Sequence, residues 1–133
     1  MILAGEFRCT TLHHGLRQSE TNASPKVSVQ VFHIWLCPSR AGPETGESQK
    51  RFSAAERRGG LCIIVSPDGR CGSLQAHQGA LMCSALLDPG QHDVHELSPG
   101  HSAWIHVVQG ELMLADVVLT TGDGAGVTAD RAV

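Results

Sequence analysis

The chain has no tyrosine, no cluster of basic residues and no long apolar run, and each lack narrows its possible roles. Ten Lys and Arg stand against thirteen Asp and Glu, a net charge of −3, which leaves no basic stripe for nucleic acid and no polybasic patch for a membrane surface. No stretch approaches the ~20 apolar residues of a spanning helix. The start, MILAGEFRCTT, turns to glutamate and arginine after a short apolar opening and does not read as a signal peptide, so a cytoplasmic location is expected. A phosphate-cradling loop is also missing, because TGDG near the end has neither the lysine nor the helix such a loop requires. Five cysteines (Cys9, Cys37, Cys62, Cys71, Cys83) are an odd set without pairwise spacing, and most adjoin apolar strand-like runs, so free structural thiols are expected. None sits in an electropositive setting that would mark a nucleophile.

What is present points to β-structure. With 133 residues the chain is long enough to bury a core. Fifteen glycines and six prolines separate short apolar runs, the punctuation of an all-β fold. KVSVQVFHIWL alternates through Val27, Val29 and Val31 and then becomes apolar on both faces through Phe32, Ile34, Trp35 and Leu36, which predicts the most buried strand. Charge and turn formers gather from Cys37 to Gly60, which predicts a linker with at most one helical turn around Ser53 to Arg57. Strands are then expected in quick succession at LCIIV, SLQAH, LMCSALL, HDVHEL, AWIHVV, ELML and VVLT, a rhythm suited to a meander or a jelly-roll barrel.

The ordered series LAGEFRCTTLHHGLRQSETN, FHIWLCPS, QKRF, SPDGRCGSLQAHQ, ALLDPGQHDVHEL and AWIHVVQGELMLADVVLTTGDGAGV resembles the middle and C-terminal parts of the pirin family, the quercetin 2,3-dioxygenase-like bicupins. The resemblance implies residues 1–40 as the last strands of a first cupin barrel, 41–60 as a linker and 61–133 as a second, jelly-roll cupin incomplete at its C-terminus. It also implies an iron site in the first barrel, held by three histidines and one glutamate, whose first motif lies upstream of the stretch matched here. Members read Gly-(Ile/Leu)-x-His-Ser-Glu where this chain has Gly15, Leu16, Arg17, Gln18, Ser19 and Glu20. Glu20 therefore matches a ligand, and Gln18 takes a histidine's place. A neutral amide oxygen is a far weaker donor to iron(II) than imidazole. His13 and His14 are weak substitutes, since neighbours on an extended chain face opposite ways and cannot both join Glu20.

The second barrel holds His92, His95, His101 and His106 with Glu96, but His92 and His95 are three apart and would oppose each other on a strand. The family's second barrel usually carries no metal. His106 shares a face with Trp104 and Val108, while Ala103, Ile105 and Val107 take the other, and either face could line the barrel. His77 sits where the family keeps a His-Gln pair followed by an acid, a place filled here by Gly79; a pocket residue and a turn-end histidine are both open readings.

Two functions follow. One is a pirin-like module without metal or catalysis, binding a small molecule or a protein through a pocket near His77, His95, Trp104 and His106. The other is a metal-dependent dioxygenase, with iron or another divalent ion in a site rebuilt from His13 or His14, Glu20 and second-barrel histidines, in one chain or across a dimer. A partial barrel exposes strand edges, so a homodimer is expected, with the strand at Val27 to Leu36 as its buried interface. No nucleic-acid or membrane partner is expected.

Overall fold

The protein is described by a computed structural model over residues 1–12, 15, 17–37, 46–76 and 79–128. It divides into two compact units, Met1–Asp93 and Val94–Val133. Among the described residues there are nine strands, one α-helical turn and one 3-10 turn, in keeping with the all-β expectation.

The first unit opens with β1 (Glu6–Thr11), paired antiparallel with β2 (Gly46–Arg51) so that Glu6 faces Arg51 and Arg8 faces Gln49. Strand alternation sorts the ribbon. Phe7 and Cys9 pack against the core, while Glu6, Arg8 and Thr10 take the opposite face. The ring of Phe7 meets that of Phe52 edge-on, with centroids 5.5 Å apart, and the Lys50 ammonium lies 4.6 Å from the centre of the Phe52 ring. Gly5 makes this packing possible. Its φ is +84°, and a Cβ there would stand 2.9 Å from the Phe52 carbonyl oxygen, while the Phe52 N–H donates to the Gly5 carbonyl at 2.9 Å.

A helical turn, α1 (Ala54–Arg57), follows where one was expected. Ser53 caps it, accepting from the Glu56 N–H, while the Glu56 carboxylate accepts from the Ser53 N–H at 2.7 Å. The stretch read as a linker also holds β2, which that reading did not include. GESQKR has no apolar alternation to announce a strand; its pairing with β1 and polar cross-strand neighbours define it instead.

The core lies under β3 (Cys62–Ser66), flanked by β4 (Leu74–Gln75) in parallel and β5 (Met82–Ser84) antiparallel, with a register shift between Ile63 and Val65. Phe52, Ile64, Val65, Leu74 and Ala76 form the buried cluster. Buried Ser66 is satisfied by the Ser73 hydroxyl at 2.7 Å and the Arg70 N–H at 3.1 Å.

Two expected strands are absent. Val27 to Leu36 forms no regular strand, and its large side chains are exposed rather than buried: Trp35 at 83 %, Val27 at 67 % and Ile34 at 61 %. An apolar run gains by burial only where layers exist to cover it, and the described residues supply none over these side chains. HDVHEL is likewise irregular and largely exposed. Its Asp93 carboxylate accepts the Leu61 N–H at 2.7 Å, so a side chain, rather than a ladder, ties it to the unit.

In the second unit β6 (Ser102–His106) pairs antiparallel with β9 (Gly124–Thr128), and between them in sequence lies the hairpin of β7 (Glu111–Leu114) and β8 (Val117–Thr120). The Val107 N–H donates to the Asp123 carbonyl at 2.9 Å and the Gly122 N–H to the Val107 carbonyl at 2.8 Å, extending the β6–β9 ladder towards the hairpin. Val107 and Leu119 are its buried apolar residues. Nested antiparallel pairing of this kind is what a jelly-roll cupin requires.

Candidate functional site

Glu20 is the one residue expected to match a metal ligand, and it lies in the loop after β1 with its side chain only 15 % exposed. Its Oε1 accepts a hydrogen bond from the Arg8 guanidinium at 2.8 Å and another from the Gln18 amide nitrogen at 2.6 Å. Thus Gln18, where the resemblance implies a histidine, bonds to the carboxylate beside it. Arg8 in turn reaches across the ribbon to Gln49 Oε1 at 3.2–3.3 Å and diagonally to Glu47 at 3.2 Å. The other Glu20 oxygen, Oε2, is buried and accepts no hydrogen bond among the described residues.

Arg8 was not singled out from the sequence. Its signal was its position: a charged residue between Phe7 and Cys9 on an otherwise core-facing strand, and therefore on the face opposite them.

Of the remaining candidates, three lie among the described residues: His95, Trp104 and His106. His13, His14 and His77 lie outside the described residues. His95 is exposed on the irregular segment. Trp104 and His106 do share a face of β6, but it is the exposed one; Ala103 and Ile105 are half-buried and Val107 buried on the other. Of the two faces left open for β6, the one with Ala103, Ile105 and Val107 is the more buried, and Trp104 and His106 lie on the other. The indole of Trp104 lies across β9, so close to Gly124 that a Cβ there would clash with its Cζ2. Glycine at this position is a packing requirement.

A shallow cavity of about 230 Å³ lies elsewhere, lined by Cys9, Thr11, Gly46, Glu47, Ser48 and Gln75. Burial pushes the Cys9 thiol above its ordinary range, so at neutral pH this cavity presents a protonated thiol.

Residues 63–133 match the quercetinase C-terminal cupin domain. The chain belongs to the pirin and quercetinase family. A quercetin 2,3-dioxygenase of Escherichia coli strain K12 is 32 % identical over 132 residues, covering 99 % of this chain and 56 % of the relative. The pirin-like protein YhaK of the same strain is 31 % identical over 129 residues, covering 92 % of this chain and 52 % of the relative. The chain thus spans about half the length of these curated relatives. The solved structure of YhhW from Escherichia coli superposes with a TM-score of 0.61 at 33 % identity, covering 70 % of this chain and 38 % of YhhW. A second YhhW structure, a complex with nickel(II), gives 0.60 at 32 % identity over 71 % of this chain and 39 % of that one.

Pirin membership raises the question of a metal, and the described residues around Glu20 do not fit one. Among them no three His, Cys, Asp or Glu side chains converge as an ion would need. One Glu20 oxygen, Oε1, already carries a guanidinium, and the neighbouring side chain is an amide whose nitrogen points at that same oxygen. No helix among the described residues is long and apolar enough to cross a membrane.

Proposed function

We propose that this pirin-like chain works as a binding module for a small molecule or a protein, without metal and without catalysis. The observation that carries the reading is the Arg8–Glu20 pair: the carboxylate that the resemblance implies as a metal ligand is held by an organic cation. A guanidinium 2.8 Å from the carboxylate neutralises its charge and repels an approaching divalent ion. Gln18 reinforces this by donating to the carboxylate rather than offering a nitrogen lone pair. The reading assigns residues 1–40 to the end of a first cupin and 61–133 to a second. It also places the chain in the cytoplasm, where its five free thiols suit a reducing environment.

One observation favours the second reading, a metal-dependent dioxygenase. Glu20 Oε2 is a buried acceptor without a partner among the described residues, and such an atom can serve as a ligand. That reading requires His13 or His14, or histidines of a second copy, to complete the set. Elemental analysis of protein purified without chelators, combined with oxygen uptake in the presence of quercetin, separates the two. The binding-module reading expects metal far below one ion per chain and no quercetin-dependent oxygen uptake. Near-stoichiometric iron, nickel or copper overturns it.

A further inference from the structure

We propose that Asp68–Gly69, in the turn after β3, is a site of spontaneous modification, where the native fold leaves Asp68 free to convert to isoaspartate. Two Asp-Gly steps occur in the chain, Asp68–Gly69 and Asp123–Gly124, and glycine offers the least crowded amide for attack on a preceding carboxyl group. The structure separates them. Asp68 Oδ1 accepts the Arg70 N–H at 3.3 Å, a turn in which the aspartate side chain folds forward over the next peptide and brings its carboxyl carbon towards the Gly69 nitrogen. Arg70 Nε donates to the same oxygen at 3.0 Å and fixes that orientation. Among the described residues the Gly69 N–H has no acceptor, and both Asp68 and Arg70 side chains are more than half exposed, so water reaches the turn. Asp123 points the other way. Its Oδ2 accepts the Thr120 N–H at 2.7 Å and the Thr120 hydroxyl at 3.0 Å, while its carbonyl accepts the Val107 N–H at 2.9 Å. That carboxyl group is tied back to β8, and its peptide to the β6–β9 ladder.

The step needs only water. In the protonated acid, the Gly69 nitrogen bonds to the Asp68 carboxyl carbon, and the amide proton leaves with the carboxyl hydroxyl as water, closing a cyclic imide. Water then adds to the imide. Where the bond from the nitrogen to the Asp68 main-chain carbonyl breaks, the chain runs on through the side-chain carbonyl and residue 68 has become isoaspartate; where the other bond breaks, aspartate returns. Isoaspartate adds a methylene to the main chain ahead of Arg70, whose N–H donates to the hydroxyl of buried Ser66 at 3.1 Å. Moving that donor leaves Ser66 with Ser73 alone and slackens the turn that sets β4 beside β3. The proposal is independent of what the chain binds.

Prolonged incubation of the whole chain at neutral pH with a thiol reductant, native and in guanidinium chloride, tests it. Digestion with a protease that cuts before aspartate but not before isoaspartate, followed by mass spectrometry, reads both steps. In denaturant the two should convert at similar rates. In the native protein Asp123 should slow by about tenfold or more, because attack there waits for local opening, while Asp68 should stay within about threefold of its unfolded rate. The aged parent should melt about 4 °C lower, the loss of one hydrogen bond, whereas aged Asp68→Glu, which cannot close the same ring, should keep its melting temperature. Asp68 protected as strongly as Asp123, Asp123 converting first, a converted parent that melts as before, or an aged Asp68→Glu variant that loses as much as the parent each overturns the proposal.

Discussion

Replacing Arg8 by methionine keeps most of its aliphatic packing and removes its charge. Glu20 would then keep one hydrogen bond from the Gln18 amide, lose its cation, and still carry an Oε2 without a partner. The pair is 19 % and 15 % exposed, far from the surface ion pairs whose median contribution is about 0–1 kcal/mol. Removing one member of a fully buried pair costs about 3–5 kcal/mol, and a single hydrogen bond to a charged group contributes about 1.5–3 kcal/mol. Because Arg8 and Glu20 retain some contact with water, Arg8→Met should destabilise the first unit by about 2–3 kcal/mol. Glu20→Gln should cost less, about 1 kcal/mol, since Arg8 keeps Glu47 and Gln49. The double variant no longer buries an unpaired charge, and the cycle should give a coupling of about 2 kcal/mol. Urea denaturation at a single protein concentration, followed by circular dichroism, measures all four corners. A coupling below about 0.5 kcal/mol would refute the view that this pair replaces a metal–carboxylate contact.

Two further predictions rest on other parts of the fold. Burial holds the Cys9 thiol above its ordinary pKa, and burial, then the neighbouring Cys62 and Asp93, do the same for Cys83. A raised thiol pKa means less thiolate at a given pH, so exposed Cys71 should react with iodoacetamide before Cys9 and Cys83 near pH 8, the gap closing as pH rises; mass spectrometry showing Cys9 first would contradict this. In the β7–β8 turn Ala115 has φ +51°, a left-handed conformation that strains an alanine, so Ala115→Gly should stabilise the protein by about 0.5–1 kcal/mol despite glycine's greater freedom when unfolded, and a lower melting temperature would count against it.

Most of the fold was legible because its strands carry their own punctuation. LCIIV, ELML and VVLT are short apolar runs between turn formers, and β3, β7 and β8 formed on them. The turn formers of SPDGR likewise follow β3, with Arg70 bonded to Asp68. Alternation also named the two faces of β6, though not which one would be buried. That choice depends on what lies over each face, and here the indole lies on the glycines of β9 with Val107 on the inner side. The strand β2 was illegible for the opposite reason. Its stability comes from β1, forty residues away in sequence, and GESQKR by itself has the composition of a loop.

The Val27–Leu36 strip and the Glu20 site illustrate one limit from two sides. Hydrophobic periodicity states what a segment would gain from burial, and the strip shows that the gain can remain unrealised within the chain that carries it. Ligand chemistry states what a residue can bind, and Glu20, expected to match a metal ligand, is paired with a guanidinium from another element. The motif around Gln18 and Glu20 could reveal a weakened metal site, but not its substitute, because Arg8 lies on another element and reaches Glu20 only once β1 has paired with β2 and turned its polar face towards the loop. Gln18 and Arg8 are physically linked because both donate to the same Glu20 oxygen. The linkage gives the site its sharpest reversal. In the Arg8→Met/Gln18→His variant the carboxylate is left without a cation and next to an imidazole, so nickel(II) should raise the melting temperature of that variant while leaving the parent unchanged. If nickel stabilises both equally, ions bind elsewhere on the chain and Arg8 does not hold the place of a metal.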